Sequence, residues 1–194
     1  MSNVQYTFFS DGHTVYWAIP DGTQFCIDSD MLEKIESISF YRCRQGYKNE
    51  YLMDSKGIKL HEYLFPHKDG LEVDHINLDT FDNRRCNIRY CSHQQNQINQ
   101  PLQKNNTSGV SGVSWYAPRN KYRARIKISQ REIHLGYYKT FIEAVQARNV
   151  GMSCMFGEYG RYNDVPPAPA GIRNSVIEKC RRFADLSVCE AFLV

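Results

Sequence analysis

The sequence predicts an α+β protein assembled from small antiparallel sheets and short helices. Three observations predict it. Short β-prone runs recur between turn dipeptides over the first sixty residues and again over 110–138. Helical signals are few, and three of them open with Ser, Thr or Asp followed three residues later by Glu or Gln. No long-period repeat is present; SGVSGV at 108–113 is a local echo.

The elements follow in order. VQYTFFSDGHTVYW and AIPDGTQFCID are β-prone, with Asp11-Gly12 and Asp21-Gly22 as turns. Asp30 with Glu33 predicts a capped short helix over Met31–Ile38. YRCRQGYKNEYLMDSKGIKL reads as a hairpin turning near Gln45-Gly46, with a second turn at Lys56-Gly57, and a short helix follows near His61–Phe65. LEVDHI is a strand leading into an irregular polar loop. Ser92 with Gln95 then opens a helix that places Asn96 in its first or second turn. After the flexible stretch KNNTSGVSGV come three strands, GVSWYAP, KYRARIKI and IHLGYY, turning at Arg119-Asn120 and Ser129–Arg131. Thr140 with Glu143 opens a helix over 141–156 with Phe141, Ala144, Val145, Met152 and Met155 as its apolar stripe. VPPAPAG is a Pro-rich linker, and 173–191 is an amphipathic helix candidate. The expected organisation is a β-rich region 1–57, a central unit 58–104, a third unit 105–165, and a linker with a terminal helix over 166–194.

Composition narrows the function. With 194 residues and 42% hydrophobic content, one or two small cores can form. No apolar run approaches the ~20 residues of a membrane helix, and MSNVQYTFFSDGH lacks a signal-peptide pattern. We therefore expect no membrane partner and a cytoplasmic chain. The seven Cys are scattered with no CxxC pair, which reads as reduced, packed or idle thiols with no structural zinc. Net charge is only +3, yet it is uneven. Residues 104–139 hold Lys104, Arg119, Lys121, Arg123, Arg125, Lys127, Arg131 and Lys139 against Glu132 alone. Such a block is the footprint of a polyanion partner.

The stretch VDHINLDTFDNRRCNIR, Val73 to Arg89, carries the chemistry. Asp74 offers carboxylate oxygen and Asn96 amide oxygen, both suited to Mg²⁺ or Mn²⁺. His75 borders the same cleft, where a neutral imidazole is the usual general base for an attacking water. Asn87 lies in an irregular loop, which its amide can fix from within by donating and accepting at once. Arg84, Arg85 and Arg89 are candidate phosphate contacts, because the guanidinium fork matches phosphate oxygens. His61 reads equally as structural or phosphate-binding.

VDHINLDTFDNRRCNIR with SHQQNQINQ resembles the HNH endonuclease pattern of phage and intron homing enzymes. His75, Asn87 and Asn96 occupy its three named positions, and LHEYLF is similar to its L-H-R segment with Glu62 in place of Arg. Over about 58–100, the resemblance implies a ββα-metal fold with one divalent ion per active site, His75 as general base, Asn87 as a further catalytic position, and Asp74 with Asn96 as metal ligands. A phage-encoded protein acting in the host cytoplasm would follow.

KYRARIKI alternates with period two. Tyr122, Ala124, Ile126 and Ile128 face one way and Arg123, Arg125 and Lys127 the other, flanked by Arg119, Lys121 and Arg131 in the turns. Trp115, Tyr116 and Tyr137 interleave aromatics with this stripe. Such a sheet can lie in a DNA groove. GVSW, YRARI, LGYY, TFIEA and FGEY over 109–163 resemble an AP2/ERF-type DNA-binding domain, which implies three antiparallel strands on one helix. Gly151 and Ser153 depart from the Ala-rich helix of that pattern.

These residues together give the expectation of a metal-dependent endonuclease acting on double-stranded DNA as a monomer or weak dimer. A non-catalytic DNA-binding regulator on a degenerate HNH scaffold is the alternative, and an RNA-directed nuclease is a third.

Overall fold

The computed structural model describes residues 9–10, 12–45, 49–128 and 131–183. The chain folds as two compact units, 1–93 and 94–194.

The first unit is a set of small antiparallel pieces. β1 (Phe9–Ser10), β2 (Thr14–Ala18) and β3 (Gln24–Asp28) form one sheet in that order. The β2–β3 turn holds Gly22 at φ 86°, as the Asp-Gly signal predicts. Trp17 lies opposite Phe25 across this pair, and their rings stack at 5.4 Å. β4 (Tyr41–Gln45) pairs with β5 (Asn49–Met53); the expected turn at Gly46 lies outside the described residues. Helix α1 (Leu60–Leu64) follows. Val15, Trp17, Phe25, Ile27, Met31, Ile35, Leu52, Leu60 and Leu64 close one buried apolar cluster, so α1 shares its core with the β-rich start. β6 (Glu72–His75) then pairs with β7 (Ile88–Cys91).

Two expectations need correction here. Residues 29–34 form a 3-10 turn, and no side chain caps it. Asp30 is engaged elsewhere, because its two oxygens accept from Arg85 at 2.7 Å each. The second is β7, a paired strand where the sequence reads as irregular polar loop.

The second unit matches its expected elements closely. Helix α2 (His93–Ile98) begins directly after Ser92 and straddles the boundary, with His93 in the first unit. β8 (Val113–Tyr116), β9 (Lys121–Ile128) and β10 (Arg131–Tyr138) form an antiparallel sheet with β9 central. Asn120 turns the first connection in the left-handed region at φ 50°. Part of the second connection, 129–130, lies outside the described residues. α3 (Phe141–Phe156) starts where Thr140 predicts: Glu143 N donates to Thr140 Oγ1 at 3.2 Å, and Thr140 N donates to Glu143 Oε2 at 3.0 Å. Ala124 and Ile126 from the sheet and Ala144, Val145, Ala147 and Met152 from α3 are buried in one cluster. Gly151 is the point of closest approach, since a Cβ there would sit 2.8 Å from Leu135 Cδ1. The helix interior therefore carries Gly where Ala would collide. α4 (Ala170–Cys180) starts earlier than expected, directly after Pro169. The Pro-rich stretch before it packs on α3, with Gln146 Nε2 donating to the Pro166 carbonyl at 3.0 Å. The expected extension to 191 runs beyond the described residues. Across both units the chain is a mixed α and β protein with small antiparallel sheets.

Candidate active site

β6 and β7 place the first pair of candidate residues. Asp74 faces Arg89 across the ladder and His75 faces Ile88. Both Asp74 and His75 are buried, at 4% and 6% exposure. The backbone then turns sharply: Leu78 N donates to the His75 carbonyl at 3.0 Å, and Leu78 itself sits at φ 68°. A leucine in the left-handed region is strained, and the loop that follows holds it there.

That loop, 76–87, is built by its own amides. Asn87 Oδ1 accepts from Asn77 N at 2.9 Å, and Asn87 Nδ2 donates to the Asp82 carbonyl at 2.8 Å. Asn77 Nδ2 reaches Asp82 Oδ2 at 3.2 Å. Asn77 Oδ1 and Asp79 Oδ1 each accept a backbone N–H two residues on. The loop also extends the β3 edge, with Cys26 N donating to the Phe81 carbonyl at 2.9 Å and Asn83 N to the Cys26 carbonyl at 2.8 Å. Asp82 is locked by Arg84 through two bonds of 2.7 Å, which hold its carboxyl down to about 2.

Asn83 does for His75 what Asn87 does for the loop. It is 1% exposed, and its Oδ1 lies 3.1 Å from His75 Nε2. Its Nδ2 donates to the Thr80 carbonyl at 3.2 Å, which turns Oδ1 toward the ring. His75 Nε2 is therefore the protonated nitrogen, and the basic lone pair belongs to Nδ1. Burial lowers the His75 pKa, partly offset by the Asn83 bond and the Asp74 charge. The neutral imidazole a general base requires is the favoured form. Asn83 is a neighbour of His75 that sequence reasoning misses; as one amide among several in a polar loop, it carries no local signal.

His61, on α1, packs edge-on against His75 with ring centroids 5.3 Å apart, and against Tyr51 at 5.6 Å. Burial pushes its imidazole down to about 3, so it too is neutral.

Three arginines, Arg84 and Arg85 of the loop and Arg89 of β7, are ion-paired within the unit. Arg84 binds Asp82; Arg85 binds Asp30, with its backbone N donating to Asp28 Oδ2 at 2.8 Å; Arg89 binds Asp74. The two Arg89 bonds, 2.9 Å from Nε and 2.8 Å from Nη2, both fall on Asp74 Oδ2. Among the described residues no group of three or more His, Cys, Asp or Glu side chains could hold a metal ion. The donor set assigned to a metal is accordingly sparse: one carboxylate, Asp74, and one amide, Asn96. Both are hard oxygen donors, and a magnesium-type ion that keeps waters and substrate phosphate in its other positions needs few protein ligands. Each donor, taken singly, has the chemistry such an ion accepts. Asn96 lies on α2 in the second unit.

The basic stripe also lies in the second unit. Arg119 sits over the Tyr137 ring at 4.5 Å and Arg123 over Tyr116 at 5.4 Å. Arg125 pairs with Glu132 at 2.6 Å. Lys121 is half-buried, while Lys127 and Arg131 are exposed. Trp115, half exposed, packs edge-on against Tyr122 at 5.0 Å.

Comparison with known proteins bears on the segment that holds the first of these sites. Residues 66–98 match a family model described as HNH endonuclease. This chain carries an HNH endonuclease domain. It is 30% identical to Protein 3.8 of Escherichia phage T7 over 84 residues, 43% of this chain and 69% of that protein, and belongs to the same family. It is 24% identical over 81% of its length to a protein of Acanthamoeba polyphaga mimivirus named Uncharacterized HNH endonuclease L560, covering 86% of that protein. No solved structure gives a significant match. None of these matches names an AP2/ERF domain. No helix among the described residues is long and apolar enough to cross a membrane.

Proposed function

We propose that this HNH domain is a divalent-metal-dependent endonuclease on double-stranded DNA, with His75 as its general base. The observation that carries the reading is the buried, neutral His75 imidazole, fixed by Asn83 at Nε2 so that Nδ1 bears the lone pair. His75 Nδ1 takes a proton from water as the water oxygen attacks phosphorus. The bond from phosphorus to the 3′ oxygen breaks, and that oxygen leaves as the alcohol after protonation by solvent. Asp74 and Asn96 would hold the cation, which when bound supplies charge stabilisation at the phosphoryl and leaving oxygens. Asn87 acts through the loop it braces. Residues 105–165, through the AP2/ERF-like stripe of Arg119, Lys121, Arg123, Arg125, Lys127 and Arg131, would concentrate the nuclease on DNA. The paired arginines Arg84, Arg85 and Arg89 would reach phosphate only by exchanging a carboxylate partner.

The test is nicking of supercoiled plasmid with Mg²⁺ or Mn²⁺, with and without EDTA. His75→Ala should lose about 10²–10⁴-fold in rate while binding DNA like the wild type in EDTA. Binding that falls in step with cleavage counts against the role. One observation favours the alternative of a non-catalytic DNA-binding regulator: the Asp74 carboxylate is already engaged by Arg89. Under that reading no metal supports nicking and DNA binding persists.

A further inference from the structure

His61 carries no task in the proposed reaction, yet its ring touches His75. The two imidazoles meet edge-on at 75°, with centroids 5.3 Å apart. Leu60 and Leu64, both buried, anchor α1 in the apolar core on either side of His61, so packing holds the contact in place. His61 itself is 7% exposed. Phenylalanine would suit such a position if packing were its whole purpose. An imidazole brings a donor and an acceptor nitrogen, and burying them unbonded weakens a fold. Among the described residues neither ring nitrogen of His61 has a hydrogen-bond partner, and neither is sealed from solvent. Both are therefore open to a group that arrives from outside the protein.

The surroundings select that group. His61 joins no metal cluster, since among the described residues no three His, Cys, Asp or Glu side chains are placed to hold an ion. Glu62, which stands in place of the arginine of the L-H-R pattern, faces Lys59 at 3.7 Å and offers no donor to a phosphate. The ring N–H of His61 is what α1 can offer instead. The proposed reaction puts a phosphodiester at His75, and its nonbridging oxygens are strong acceptors. With the rings in contact, one phosphate and its attacking water can bridge the pair through hydrogen bonds of ~2.9 Å. We propose that His61 contacts the substrate: its ring N–H donates to a nonbridging oxygen of the phosphodiester whose attacking water His75 activates. The inference rests on the endonuclease reading of His75. Charge grows on that oxygen as water adds to phosphorus, so the bond strengthens in the transition state. His61 keeps its proton throughout, and His75 alone accepts one.

The experiment compares wild type, His61→Phe and His61→Gln as full chains. Phenylalanine keeps a ring and removes both nitrogens; glutamine keeps a donor and removes the ring. Single-turnover nicking of supercoiled plasmid in Mn²⁺ should slow about 10²-fold in His61→Phe and recover in part in His61→Gln. His61→Phe should melt no lower than wild type, because the nitrogens it loses are unbonded within the fold. Nicking at the wild-type rate in His61→Phe overturns the contact and leaves His75 as the base. Slow nicking with a lowered melting temperature and no recovery in His61→Gln overturns it too, because lost packing then accounts for both. A second measurement needs no cleavage. The chain, labelled with ¹⁵N at histidine, is titrated in EDTA with a short mixed-sequence duplex, and the resonances missing from His61→Gln identify His61. Its donor nitrogen should shift on binding; one that stays in place overturns the contact. This titration decides where His61→Phe does not fold, and also where wild type nicks with no metal, the result that defeats the endonuclease reading itself.

Discussion

Asn83→Leu is the sharpest test of how the site works. Leucine has nearly the shape of asparagine but accepts no hydrogen bond. The bond it removes is 3.1 Å long, between a residue 1% exposed and a ring 6% exposed, so no solvent replaces it easily. A buried donor left unsatisfied costs about 1–3 kcal/mol. If that cost falls on the catalytic tautomer, the rate drops by roughly 5- to 150-fold, at 1.36 kcal/mol per tenfold. Part of it falls on folding as well, because the Thr80 carbonyl loses its donor. The assay is single-turnover nicking of supercoiled plasmid in Mn²⁺, with DNA binding measured in EDTA and a melting curve on the same preparation. The expected pattern is slow nicking, intact binding and a modest loss of stability. Asn83→Asp keeps an acceptor opposite Nε2 and should recover part of the rate. A folded Asn83→Leu protein that nicks at the wild-type rate would refute the claim that Asn83 selects the tautomer.

Three further outcomes follow from the packing and charge. His61 binds its proton near pH 6.5 when unfolded and near pH 3 when folded, so between those values the unfolded chain holds the extra proton. Stability should fall as pH drops through that window, by up to ~1.4 kcal/mol per unit from this group; denaturation of His61→Phe against pH should show a flatter curve, and equal slopes would contradict the burial argument. Gly151→Ala gains about 1 kcal/mol of helix propensity but forces a Cβ to 2.8 Å from a fully buried Leu135 side chain; overpacking of about 1–3 kcal/mol should win, lowering the denaturant midpoint at constant m-value, and a raised midpoint would show that Leu135 moves aside freely. Replacing Arg123 and Arg125 by Gln should reduce the salt slope of DNA binding by about 1–2, and an unchanged slope would remove the sheet from the interface.

What could be read from the sequence was what is local. Thr140 and Glu143 lie one turn apart, and each satisfies the other's backbone, so the start of α3 is visible in four residues. The alternation in KYRARIKI places Ala124 and Ile126 inward without reference to anything distant. Failures occur where a distant partner decides. Asp30 has the pattern of a helix cap, but Arg85, 55 residues later, takes its carboxylate. The sequence also does not show that Arg84, Arg85 and Arg89, its phosphate candidates, are ion-paired with Asp82, Asp30 and Asp74 in the free protein. Asp74 and His75 stand out as an adjacent acid and imidazole, and Asn87 as an amide bracing a loop. Asn83 does not, because only the fold brings it to Nε2.

This pairing also assigns labour between the two units. In the HNH segment the guanidinium groups of Arg84, Arg85 and Arg89 are each matched by an aspartate, and the Asn87 amide is spent on the loop's own backbone. Such a framework holds an imidazole at a fixed angle, but it adds little net positive field to attract DNA. Residues 104–139 are the reverse, with eight basic side chains against Glu132. Lys127 and Arg131 stand exposed there, and Arg119 and Arg123 lie against tyrosine rings. On the proposed reading, attraction to a polyanion would come mainly from the second unit and a rigidly held imidazole from the first. Neutralising the sheet should weaken capture of DNA at every sequence while leaving the cleavage step of bound DNA unchanged, whereas loosening the loop should do the opposite.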